Sequence, residues 1–220
     1  MNECRAHLIN SRARSNVPIL LLICLSLVAL WEHTKSFKER MIRCFMATVI
    51  SLLTFVSCNG QNHERADSLF YSANERLKTN MFEIDSFEIQ KSIVDYSEAI
   101  RLNPKFWQAY RNRSRLYQQT KQFDKAIMDL TTALKYADKN SSVNLHDMRA
   151  YSYYELGNYQ DAILDWNIAV DNLGNPSHAL LHRAKAKWQF GQRNEACLDY
   201  EKAIELNKDL VMEKEFIECE

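Results

Sequence analysis

Between residues 65 and 208 apolar positions recur with the period of amphipathic helices, and the pattern then repeats itself along the chain. Ala99, Ala133, Ala169 and Ala203 stand 34, 36 and 34 residues apart. Seven residues before each is another small residue: Ser92, Ala126, Ala162 and Ala196. A bulky side chain precedes each of the first set by three residues (Tyr96, Leu130, Trp166, Tyr200). Directly before that comes an Asp every time (Asp95, Asp129, Asp165, Asp199). Twelve residues ahead of the second small set, three units carry Ser114, Ala150 and Ala184, each behind an Arg (Arg113, Arg149, Arg183). Small residues on two helices let their backbones approach closely, and the bulky residue fills the space alongside.

The pattern predicts four pairs of helices, A and B, near residues 65–104, 105–140, 141–174 and 175–208. Gly157 and Gly191 fall between the A and B helices of their units, where a left-handed residue ends helix A. Phe123 and Tyr159 open helix B with an aromatic, and Pro104 and Pro176 mark unit boundaries. The first unit is irregular. Its helix A, Ala66 to Leu77 with Ala73 at the small position, is followed by about seven extra residues within Thr79 to Gln90, read as a longer loop or as extended helix ends. Asp209 to Cys219 alternates apolar and charged residues at helical spacing, which predicts a capping helix over 209–220. With 4 Gly and 3 Pro in 220 residues, an all-β fold lacks its turn residues. The fold class is all-α.

The period and its residues resemble the tetratricopeptide repeat, over about two thirds of the chain. That resemblance implies a right-handed α-solenoid whose A helices line a concave groove for an extended peptide or a partner helix. The in-register Arg and Asp residues read as architecture, a bidentate pair between helices. In the first unit Ser72 stands where Arg is expected, so Asp95 is expected to pair with Arg113 of the next unit or to stay solvated. A-helix residues left over from packing are the candidates for partner binding. They are Arg111, Asn112 and Arg115 in the second unit, Asp147 and Tyr151 in the third, and His182, Lys185 and Trp188 in the fourth. Gln108, Asn144, Met148 and His178 lie on the same faces. Arginine and lysine beside flat aromatics suit an acidic or aromatic-containing segment. Some proteins of this resemblance clamp a C-terminal carboxylate; Asn74 and Asn112 match its two Asn positions. Phe70, Asn144 and Met148 stand where cations are required, which argues against that clamp.

The first sixty residues differ in kind. Apolar runs from Val17 to Trp31 and from Phe45 to Ser57 flank a charged stretch, and each is short for a bilayer span. Residues 41–57 run from a basic start through an apolar middle to Val56-Ser57-Cys58, and resemble a bacterial lipoprotein signal of the Bacteroidetes type. The resemblance implies cleavage before Cys58 and lipidation of its thiol, although Phe55 replaces the usual Leu. Residues 1–40 are then expected to be a non-native upstream extension, with translation starting at Met41, or else a membrane segment. Residues 58–64 are expected to be a polar tether.

No CxxC pair exists, so thioredoxin-like and zinc readings have no footing. Cys197 is expected to be a buried thiol, with a Cys197–Cys219 disulfide as the open alternative. His178 and His182 are four apart on one helix, but Ala179 follows the first where a zinc-protease motif needs Glu, and no metal is expected. Neither a phosphate loop nor a GxSxG elbow is present, so no catalytic site and no cofactor are expected. Formal charge is zero; removing the 7 basic and 3 acidic residues before Cys58 from 28 of each leaves 21 and 25. That balance speaks against nucleic acid. The expectation is a non-catalytic protein–protein scaffold for an unknown protein or peptide, with no small-molecule substrate. It is lipid-anchored in a bacterial envelope, at the outer membrane facing the periplasm. The alternative is an adaptor held by N-terminal membrane helices that helps assemble a membrane enzyme complex.

Overall fold

A computed structural model describes residues 37–78, 86–210 and 219, without the side chains of 37–41 and 54–59. The expected run Val17 to Trp31, residues 79–85 of the insert and most of the expected capping helix lie outside the described residues. The described elements are all helical: α1 (Phe37–Lys78), α2 (Ser86–Leu102), α3 (Trp107–Gln119), α4 (Phe123–Leu134), α5 (Lys139–Glu155), α6 (Tyr159–Asn172), α7 (Ser177–Gln189) and α8 (Arg193–Leu206). The chain divides into two compact units, Met1–His63 and Glu64–Glu220. In the first, Ile42, Phe45, Met46, Leu52 and Leu53 lie exposed along α1. Residues 58–64, expected as a tether, are helical. No helix of the described residues is long and apolar enough to cross a membrane.

The second unit is a stack of four helix pairs; α1, which enters the first pair, begins at Phe37, well before the Ala66 expected for the first helix A. All the small residues of the pattern on both helices, from Ala73 to Ala203, are fully buried, and so are Tyr96, Leu130, Trp166 and Tyr200 beside them. The apolar clusters straddle adjacent pairs. Tyr96 and Ala99 of α2 pack with Ala109 and Leu116 of α3, and Leu130 and Ala133 of α4 pack with Leu145 of α5. Trp166 and Ala169 of α6 pack with Ala179 and Ala186 of α7. One pair therefore leaves an apolar face that only its neighbour covers, and stacking supplies the core.

The A-to-B turns are alike. Gly157 and Gly191 take φ of 77° and 89°, and Lys121 takes 57° at the matching place. Past each, an amide reaches back five residues to a carbonyl: Gln122 to Tyr117, Asn158 to Tyr153 and Gln192 to Lys187. This closes the helix end with a left-handed residue, cheap for glycine and strained for lysine. Asp138 caps α5 by accepting from the amides of Asn140 and Ser141.

In the second, third and fourth units arginine and aspartate pair through two parallel hydrogen bonds. Arg113 donates to both oxygens of Asp129 at 2.8 and 2.7 Å, Arg149 to Asp165 at 2.7 and 2.8 Å, and Arg183 to Asp199 at 2.7 and 2.6 Å. The third nitrogen of each guanidinium reaches the preceding unit, to Ser97, Thr131 and Asn167 respectively. Each arginine thus ties three helices together. Asp95 departs from expectation: it pairs with Arg76 at 2.8 Å, one helical turn beyond Ser72. The cation of the first unit therefore stands further along helix A than the in-register position. Arg76 also meets Glu88 and the Ser92 hydroxyl. Cys197 is corrected as well. It is bonded to Cys219 across 22 residues and is no free thiol. Cys219 and Leu210 both pack on the cluster around Leu180 and Tyr200, so a partner in space decided what the neighbouring small residue did not.

Candidate partner-binding groove

Helices α3, α5 and α7, with the last turns of α1, carry every residue expected to bind a partner. At the first junction a polar chain crosses two units. The Tyr96 hydroxyl donates to Asn74 Oδ1 at 2.6 Å, and Asn112 Nδ2 donates to the same oxygen at 2.7 Å. Arg111 Nε donates to Asn112 Oδ1 at 3.2 Å, and its guanidinium lies over the Trp107 ring. Burial pushes the Tyr96 hydroxyl above its ordinary value, while Asn112 and the charges of Arg111, Arg115 and Arg76 oppose the shift. The two asparagines of the expected clamp positions are thus bonded to each other, as an inter-unit staple.

Arg115 is exposed one turn beyond Arg111. Among the described residues neither has a carboxylate partner, whereas Arg113 beside them is fully engaged by Asp129. For Arg113, burial lowers the pKa, yet the Asp129 hydrogen bonds and charge carry it above the ordinary arginine value. One helix therefore holds an arginine neutralised by Asp129 and two arginines that meet no carboxylate among the described residues.

Asp147 and His182 come together through a residue the sequence reading assigned only to packing. Trp166 is buried and its indole N–H donates to Asp147 Oδ1 at 2.9 Å. His182 stacks on the same indole at 5.7 Å with 14° between planes. A buried tryptophan needs an acceptor, and that need is the signal that points to a polar residue on the facing helix. Tyr151 is exposed, edge-on to Phe123, and burial together with Glu155 raises its hydroxyl pKa. Lys185 and Trp188 are half-buried on α7, and Arg193 lies over the Trp188 ring at 5.2 Å. Arg193 occupies the place where Phe123 and Tyr159 open their helices, so a cation on an aromatic replaces an aromatic contact. Among the described residues no cluster of three His, Cys, Asp or Glu is placed to hold a metal.

These features define an all-α repeat solenoid. Residues 108–140 and 177–210, the second and fourth units, match the family model described as tetratricopeptide repeat. Human sperm-associated antigen 1 is 38% identical over 79 residues, 36% of this chain and 8% of that protein. The chain thus spans less than a tenth of the length of that curated relative. Among solved structures, YrrB, described as a tetratricopeptide-repeat protein with an unusual peptide-binding site, is 19% identical with a TM-score of 0.58, over 70% of this chain and 75% of its own. The first such domain of Spaghetti, bound to an HSP90 peptide, is 18% identical with a TM-score of 0.51, over 59% and 95%.

Proposed function

We propose that the protein is a non-catalytic scaffold that holds an acidic segment of a partner protein, as a peptide or a helix, along its A helices. The observation carrying this is the split among arginines: Arg113, Arg149 and Arg183 are neutralised by Asp in the scaffold, and Arg111 and Arg115 meet no carboxylate among the described residues. Asn112, Tyr151, Lys185 and Trp188 extend the surface with amide, aromatic and cationic contacts, while Asp147 and His182 fix the floor around Trp166. That YrrB is described with a peptide-binding site and the Spaghetti domain is bound to an HSP90 peptide is consistent with this use of the fold. A labelled acidic peptide of about ten residues containing one Phe or Trp, read by fluorescence anisotropy, is the test. Arg111→Ala with Arg115→Ala should weaken binding about tenfold or more and flatten its salt dependence. Unchanged affinity in that variant rejects the site.

The same proposal places the protein in a bacterial envelope, at the outer membrane facing the periplasm, anchored by a lipid on Cys58. Three features support it: the leader pattern over 41–57, the apolar side chains of α1 that lie exposed, and the Cys197–Cys219 disulfide, a bond typical of oxidising compartments. Intact mass and detergent partitioning of the expressed chain, with and without Cys58→Ala, test this arm. An unmodified Cys58 refutes the anchor and leaves the groove untouched.

A further inference from the structure

The outer faces of the B helices carry a feature that the groove does not use. The residue directly before each in-register Asp is a large aliphatic side chain, and all four are exposed: Val94 at 57%, Met128 at 69%, Leu164 at 57% and Leu198 at 65%. One apolar rung per unit, in one register, makes a ladder along the solenoid. Isolated surface aliphatics are ordinary, but a periodic line of them marks a contact surface.

Charges flank the ladder in the same register on both sides. Three residues before the rungs stand Lys91, Lys125, Asp161 and Glu195 in units one to four, all exposed. Seven residues after the rungs stand Arg101, Lys135, Asp171 and Glu205, again all exposed. Each rail is basic, basic, acidic, acidic. One turn after the first and last rungs the signs reverse together, with Glu98 in unit one and Lys202 in unit four. Within the chain Arg101 already meets Glu98, and Lys125 reaches Gln122. The long-range order of the rails is not explained by these local contacts.

We propose that this face binds a second copy of the chain about a two-fold axis lying along the B helices between the second and third units. That operation brings unit one against unit four and unit two against unit three, with helix direction preserved. Val94 then faces Leu198 and Met128 faces Leu164. On one rail Lys91 faces Glu195 and Lys125 faces Asp161. On the other Arg101 faces Glu205 and Lys135 faces Asp171, and Glu98 faces Lys202. Every charged pair is opposite in sign. A two-fold axis along the ladder itself sets each unit against its own equivalent and brings like charges together, so the rails select one orientation. The occupant is a second copy because its rungs have the same spacing and its rails the complementary order.

The test is sedimentation velocity of the full chain in a non-ionic detergent, which keeps the apolar leader from reporting association, from about 1 to about 100 µM. The expected result is a dimer that weakens as salt rises. Lys125→Asp with Lys135→Asp turns four attractive contacts of the symmetric interface repulsive, and should raise the dimer Kd about thirtyfold or more. Adding Asp161→Lys and Asp171→Lys should restore it to within about threefold of the parent, since the order is then inverted but still complementary. Met128→Gln, at an exposed position, gives a second route should the charge variants fold poorly, and should also weaken the dimer. A chain that stays monomeric throughout overturns the proposal and leaves the ladder to another partner. Association indifferent to the reversals and to Met128→Gln overturns it too, as does a four-fold variant that folds but does not recover.

Discussion

Replacing Arg113 by methionine removes both hydrogen bonds to Asp129 and the link to Ser97 while keeping much of the apolar stem. Asp129 is buried and has no other partner among the described residues. Breaking a buried pair from one side costs about 3–5 kcal/mol, because the other charge is left without compensation. The same substitution at Arg149 leaves Asp165 with His146 at 2.7 Å, and at Arg183 it leaves Asp199 with Lys187 at 2.6 Å. With a second cation or donor in place, about 1–2 kcal/mol is the expected loss at those two sites. Urea unfolding followed by far-ultraviolet circular dichroism measures the three variants, and in thermal unfolding Arg113→Met should lower Tm by about 6–20 °C. pH adds a second signature. Burial already raises the Asp129 carboxyl above its ordinary value, against the hydrogen bonds and charge of Arg113, and losing Arg113 removes that opposition. A carboxyl whose folded pKa exceeds its unfolded value takes up more protons when folded, so stability rises as pH falls through the folded pKa toward the ordinary carboxylate range. The Arg113→Met deficit should therefore shrink on acidification. Arg113→Met combined with Asp129→Leu should recover to within about 1 kcal/mol of the parent. Equal losses at all three arginines, or less than about 1 kcal/mol at Arg113, would refute the reasoning.

Lys121 holds a left-handed conformation where the later turns use glycine, so Lys121→Gly should stabilise by about 0.5–1 kcal/mol, and Gly157→Ala should destabilise by about 1 kcal/mol, both read from urea midpoints. Asp138 accepts from the Ser141 hydroxyl and from the amides of Ser141 and Asn140, which hold its pKa below the ordinary value. Its cap is therefore fully effective above the unfolded carboxylate pKa and lost as pH falls through the depressed one, so Asp138→Ala should lower Tm at neutral pH and make progressively less difference in acid. Cys197→Ser removes a loop closure across 22 residues and should cost about 2–4 kcal/mol, with hydrogen exchange in α8 accelerating before that in α4. Uniform acceleration across the repeats would count against that local assignment.

The alternation of helices from α3 to α8 was legible because one alignment of small residues, bulky residues and Asp fixes both helices of a pair at once, whereas the start of α1 at Phe37 lies outside the repeat and no alignment marks it. The Arg–Asp pairs were legible for the same reason, since co-occurrence in register implies contact. What stayed hidden depended on chain geometry away from the repeat. Arg76, one turn beyond the in-register Ser72, pairs with Asp95 in place of the expected Arg113, and no period predicts that. The Cys197–Cys219 disulfide stayed an open alternative because Cys219 lies beyond the last repeat, where no period sets its distance from Cys197. The acceptors Ser97, Thr131 and Asn167 were visible in hindsight: each stands two residues after its Asp and each bears an oxygen. In the groove, side-chain type alone identified candidates, but only geometry separated Asp147, engaged by an indole, from Arg115, which meets no carboxylate among the described residues.

The three-way arginine contact has a consequence for how such a chain can grow. Arg113, Arg149 and Arg183 each make two bonds within their own unit and one to the unit before, so each joint is made from parts supplied by both sides. Duplicating or deleting one whole unit reproduces the same joint on either side of the change. Adding a single residue between an Asp and the acceptor two places on would turn that acceptor away and uncouple two neighbours. The array is therefore free to change length in steps of a unit and resists change in steps of a residue, so that its reach along a partner is quantised by the joint itself.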